Sequence, residues 1–173
     1  MKRLITALAT IGLVLLIVIT ACVKRAPSAK FRVGVYDNRA IAVAYASSEY
    51  NPVGKLMEDY NKARESGDTA RVAELEALGQ KHQRMLHRQG FGRMPVDDIL
   101  VMVKDRLPDV ALRANVDAIA WQCNYSGPDV EVVDITKDLA ALLDSSEKTM
   151  RTVDEIMKHP PLDLDDIEQY QDD

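Results

Sequence analysis

The chain has 173 residues, 47% of them hydrophobic and 28% charged, with a formal net charge of −5. That apolar content suits one modest core in an α+β domain rather than two domains, and the acidic balance disfavours a nucleic-acid partner. Two cysteines, Cys22 and Cys123, are too few to define a disulfide framework.

At the amino terminus, Lys2 and Arg3 precede an uncharged run of Leu, Ile, Val and Ala over residues 4–23, which Lys24 and Arg25 close. Such a run addresses a membrane. At ~20 residues it is just long enough to cross a bilayer, which would make it a single-pass inner-membrane anchor. Its ending, Ile19-Thr20-Ala21-Cys22, resembles the bacterial lipoprotein processing box. That resemblance implies a signal over residues 1–21 and a lipid anchor on Cys22. Val23 stands where an aspartate would signal inner-membrane retention, so attachment to the outer membrane, facing the periplasm, is the expectation. An ordinary cleaved signal is the remaining alternative. The basic pairs on both flanks leave the positive-inside asymmetry weak. Lipidation contributes ~0.8 kcal/mol per buried CH₂, and stable anchoring takes two signals or chains. Residues 22–30, with Pro27 and Ser28, read as a short tether.

The body begins with FRVGVY at residues 31–36, whose alternation and β-formers predict a first strand ending at Asp37-Asn38. The small apolar residues 40–47 predict a short buried helix, and Asn51-Pro52 breaks the chain before the next one. Leu56, Tyr60 and Ala63 share one face of a helix from about residue 52 to 65. Ser66-Gly67-Asp68 is a turn. Val72, Leu75, Leu78 or Gly79, His82, Met85 and Leu86 form a second stripe over residues 69–88. Two stripes joined by a short turn predict an antiparallel helical hairpin over about residues 52–89. An arm of roughly 20 residues at ~1.5 Å each reaches roughly 30 Å.

QGFGRM at residues 89–94 holds two glycines and reads as a hinge. Its GxG lacks the remainder of a phosphate-binding pattern. Pro95, Asp97 and Asp98 suit the start of a helix whose core face is Ile99, Leu100, Met102, Val103 and Leu107, interrupted at Pro108. A final turn with Val110, Leu112 and Ala114 leads to residues 116–143, VDAIAWQCNYSGPDVEVVDITKDLAALL. These read as strand, turn at Ser126-Gly127-Pro128, strand and helix, with Asp134 at the helix N-cap position. Asp144-Ser145-Ser146-Glu147 has the form of a capping box for one more helix. His159-Pro160-Pro161 stops it, and the acidic residues 163–173 read as a solvated, partly disordered tail.

Residues 116–143, with their Asn-Tyr-Ser-Gly turn and Val133-Asp134-Ile135-Thr136 opening a terminal helix, resemble the C-terminal body of the Skp/OmpH-like periplasmic chaperones. The strand near Phe31 and the helical middle follow more loosely. The resemblance implies a homotrimer whose small sheets pool into one body over residues 31–145, with residues 146–173 appended. It also implies helical arms that hold unfolded outer-membrane proteins. Leu56, Tyr60, Leu75 and Leu86, on the inward arm faces, are the client-binding candidates. This chain departs from the family in short arms and an acidic charge. The alternative is a structural or scaffolding lipoprotein without chaperone activity.

Chemistry-bearing residues are sparse. His82 and His87 are five apart and do not share a helix face as i, i+4 ligands would, so no metal site is expected. Cys123 reads as a half-buried free thiol. Trp121 and Tyr125 read as core or interface aromatics. No nucleophile, base and orienter stand together, so neither an enzyme nor a cofactor is expected. The expected partners are unfolded or envelope proteins and the membrane.

Overall fold

Phe31–Val35 forms the first strand, β1, and it is the centre of the sheet. The computed structural model describes residues 30–169; Cys22, the apolar leader and the last four residues lie outside them. The ladder is built entirely on β1. β2 (Ala118–Ala120) pairs with it on one side, with Val33 opposite Ala118. β3 (Val130–Asp134) pairs on the other, with Val33 opposite Val132. Both pairings are parallel, giving the order β2-β1-β3. The three-stranded sheet and the α+β class are as the sequence predicts. The strand-turn-strand segment, however, is no hairpin. Its two strands flank β1 from opposite edges, and residues 121–129 carry the chain back to the starting end of the sheet, as a parallel return requires.

The sheet has a covered and an open face. Gly34 is on the covered face, where a Cβ would stand 2.6 Å from Ile135 Cδ1 and 3.2 Å from Val116 Cγ2. Only glycine lets this strand approach so closely. Phe31, Val33, Val130 and Val132 share the opposite face, where Phe31 remains 50% exposed and Val132 42%.

Helix α1 (Asn38–Ser47) follows β1 and runs through the middle of the core. Its Ala40, Ile41, Ala42 and Ala44 are almost fully buried, because small side chains admit neighbours on several sides at once. Helices α3, α6 and α7 all pack against it. The hairpin consists of α2 (Val53–Ser66) and α3 (Thr69–Phe91). Gly67, at φ 74°, takes the left-handed conformation that ends α2, and its N–H returns to Arg64 O. Asp68 then caps α3 by accepting from Arg71 N at 3.0 Å. Gln89-Gly90-Phe91, expected to be a hinge, is the last turn of α3, and the chain leaves the helix only at Gly92.

Asp97–Leu100 (α4) continues into a 3₁₀ segment, Val101–Arg106, and then α5 (Leu107–Ala114). Pro108 does not interrupt a helix but opens α5, where its missing N–H is harmless. α6 (Thr136–Leu143) and α7 (Glu147–Ile156) complete the core with Leu139 and Val153, both fully buried. The cap of α7 is Ser146, accepting from Thr149 N, rather than Asp144. Asp144 instead accepts from Ser146 N at 2.8 Å and the Thr149 hydroxyl at 2.7 Å. The acidic tail is corrected as well. Leu164–Gln169 is a short helix, α8, with Ile167 3% exposed. Leu162 N donates to Phe91 O at 2.8 Å, binding this segment to the end of α3.

Candidate functional site

The carboxyl ends of all three strands open onto one cavity of about 430 Å³. In an open parallel sheet this is where ligands are held, since every strand delivers its following loop to the same rim. Here β1 delivers residues 36–39, β2 delivers Trp121, Gln122 and Cys123, and β3 delivers Asp134 and Thr136; Arg93, Met157 and Pro161 close the far side.

Each polar side chain on the rim is placed by a short local rule. Asp37 is the N-cap of α1 and accepts from Arg39 N at 2.9 Å. Its carboxylate also receives the Arg39 guanidinium in a fork, Nε at 3.0 Å and Nη2 at 2.5 Å. The Arg39 side chain is 6% exposed, and its Nη1 donates to His159 O at 2.7 Å. Across the rim, Asp134 accepts from Thr136 N at 2.9 Å and from Thr136 Oγ1 at 2.5 Å. That same hydroxyl accepts from Asp37 N at 3.0 Å. A chain of hydrogen bonds therefore joins the end of β3 to the start of α1.

Beneath it, Asn38 is 4% exposed and holds three elements together. Its Nδ2 donates to Gln89 O at 2.8 Å and Gly92 O at 2.9 Å, and its Oδ1 accepts from Trp121 Nε1 at 3.3 Å. Gln89, 2% exposed, donates in turn to Pro95 O and Asp98 Oδ1. Tyr36, also on the rim, has its phenol pushed up to about 12, first by burial and then by the Asp97 carboxylate. Burial, with Asp98 nearby, likewise raises Tyr45.

This arrangement consists of mutually satisfied pairs rather than a poised reacting group. Asp37 is clasped by Arg39, and the Cys123 thiol donates to Tyr125 O at 3.0 Å. Cys123 is a half-buried free thiol, and Tyr125 is 84% exposed. Among the described residues no three His, Cys, Asp or Glu side chains gather as a metal site. No helix among them is long and apolar enough to cross a membrane.

The client-binding candidates lie elsewhere, on the two helices of the hairpin. Leu75 is 4% exposed, while Leu56 and Tyr60 are half-buried, with the Tyr60 hydroxyl 3.1 Å from Glu76 Oε1. Leu86 packs against the main core. The large apolar residues that the hairpin shows most to solvent are Val53 and Met57 on α2 and Leu78 and Phe91 on α3. His82 Nε2 pairs with Asn51 Oδ1 at 3.0 Å, and its ring meets Tyr45 edge-on. Sequence reading missed Asn38, Arg39, Gln89 and Thr136. The available signal was a run of polar residues at a predicted strand-helix junction. Comparison with protein-family models, with curated proteins and with solved structures gives no match.

Proposed function

We propose that this chain is a protein of the bacterial cell envelope, held at the membrane through its amino-terminal segment with Cys22 as lipid anchor, that acts by holding other polypeptides rather than by turnover. The observation that carries this reading is the hairpin. α3 packs on α1 and along α2, where Ala63 and Leu75 are buried. At ~1.5 Å per residue its 23 residues extend about 35 Å. Val53, Met57 and Leu78 then supply the exposed apolar contacts a non-native chain would meet. The Skp/OmpH-like resemblance of residues 116–143 supports the same reading. The parallel sheet and compact helices fit that family poorly.

The second reading is a scaffold, and one observation favours it. The hairpin surface is laced with ion pairs, Lys55 with Asp59, Glu58 with Lys62 and Arg71 with Glu74, all between neighbouring turns. Little of it is apolar. The deciding experiment is dilution of an urea-unfolded outer-membrane β-barrel protein into the full chain in detergent. A holding protein suppresses light scattering at near-stoichiometric ratio, and replacing Val53, Met57 and Leu78 by serine abolishes the effect. Scattering unchanged at a fivefold excess of the intact chain refutes holding and leaves the scaffold.

A further inference from the structure

The outer edge of β3 carries main-chain groups that no described strand covers. Their direction follows from two hydrogen bonds at the ends of the ladder: Phe31 N donates to Asp129 O at 3.0 Å, and Ile135 N donates to Val35 O at 2.9 Å. In a ladder the groups facing one neighbour recur at every second residue. Residues 129, 131, 133 and 135 therefore address β1, and Val130, Val132 and Asp134 present N–H and C=O to the outside. One of these is already used, since Val130 N donates to Gly127 O at 3.1 Å. The side chains of Val130 and Val132 stand on the open apolar face beside Phe31. An edge strand with an exposed apolar face is a template for another strand.

We propose that a second copy of this chain covers this edge, with β3 antiparallel to β3 about a two-fold axis at Val132, merging two three-stranded sheets into one continuous sheet. The register follows from charge and hydrogen-bond matching. An axis at Asp134 would set two carboxylates directly opposite each other, which is unfavourable. An axis at Val130 would call on an N–H already donated to Gly127. An axis at Val132 sets no two carboxylates opposite each other and keeps a free N–H at the central pair, while the Val130 N–H stays with Gly127 O. Val132 N–H then donates to C=O of the partner's Val132 and the reverse, and Asp134 N–H donates to C=O of the partner's Val130, again twice. The two Val132 side chains pack across the axis with Phe31 beside them, removing the most exposed apolar part of the sheet from water. Glu131 lies on the other face opposite the partner's Val133 and keeps its ion pair with Arg32, at 3.1 Å.

A self-complementary patch of this kind makes a closed, isologous pair. A three-fold ring would instead have to join β3 to β2 of the next copy. β2 has only Ala118–Ala120; because Val33 and Val35 address β3, their partners Ala118 and Ala120 address β1, and Ile119 alone presents main-chain groups outward. The inference stands apart from the holding function, and it sets a two-fold assembly in place of the three-fold one implied by the resemblance.

The test is native mass spectrometry of the full chain released from detergent micelles, with amide hydrogen exchange on the same sample. The expected species holds two copies, and the Val132 and Asp134 amides are protected at least tenfold over their rates after dilution to single chains. V132K and V132E each place like charges across the axis and yield single copies. An equimolar mixture of the two restores the pair as a mixed species. Single copies of the unaltered chain, three copies, or an extended foreign peptide in place of the second copy would each overturn the proposal. So would pairs that persist in both variants, or fast exchange at Val132 in the unaltered chain. The exchange measurement needs no substitution, so a variant that fails to fold leaves the proposal open to refutation.

Discussion

Replacing Asn38 by alanine removes the side chain that ties α1, the end of α3 and Trp121 together. In the intact protein its amide satisfies Gln89 O at 2.8 Å and Gly92 O at 2.9 Å, both on buried residues. Each carbonyl left without a donor costs ~1–3 kcal/mol. The two together give a loss of about 4 kcal/mol, before any water entering the vacated space offsets part of it. Urea unfolding measures this directly. With a slope of ~2 kcal/mol/M, the midpoint of N38A should fall by about 2 M. The chain holds a single tryptophan, and its indole N–H donates to Asn38 Oδ1. The emission of Trp121 in the folded variant should therefore shift to the red as its partner becomes water. A midpoint shift below about 0.5 M with unchanged emission would show that these carbonyls find other donors, and the tie argued here would be wrong.

Two further outcomes follow from the ionisable groups. The Tyr36 phenol, held up to about 12, is neutral in both states below the ordinary tyrosine range. Its contribution is therefore whole below pH ~10 and is lost as pH rises towards ~12, because the unfolded chain ionises first. Urea unfolding at pH 9 and pH 11 should show a fall in stability that Y36F reduces, and an identical fall in Y36F refutes the assignment. Asp144 behaves with the opposite sign: the Ser146 N–H, then the Thr149 hydroxyl, hold its carboxyl below the usual value of 3.8. Its contribution is present at neutral pH and lost as pH falls through and below that value. D144A should cost ~1 kcal/mol or less at pH 7, with the gap to the unaltered chain closing below about pH 3 in chemical unfolding. A gap that stays constant with pH would remove the charge from the explanation.

What the sequence makes legible here is what depends on neighbours in the chain. The alternation in residues 31–36 marks β1, and the stripes of Leu56-Tyr60-Ala63 and Val72-Leu75 mark the hairpin, with Gly67 at its turn. Strand order is not written locally. Ser126-Gly127-Pro128 looks like a hairpin turn until β1, some ninety residues earlier, is known to lie between its two strands. The tail failed for a related reason: its acidic residues mask Leu164 and Ile167, three apart, which pack against the end of α3 beside Gly92. A Cβ at Gly92 would come within 2.8 Å of Leu164 Cδ2 and 2.9 Å of Ile167 Cδ1. The rim of the cavity was unreadable because Asp37, Arg39, Asp134 and Thr136 look like ordinary caps. Only the fold sets those caps side by side.

Because β1 lies at the centre of the sheet yet comes first in the body, the order in which the chain emerges governs when it can fold. Val33 waits for Ala118 and Val132, so a chain emerging amino end first offers an apolar strand with no neighbour until β2 has followed, and with only one until β3 has. The hairpin can form as it appears, being local. The sheet cannot, and loop closure over that distance is slow as well as late. Any truncation before Val130 leaves β1 with an unpaired side. Until residue 130 has followed, β1 itself is a strand in need of a neighbour.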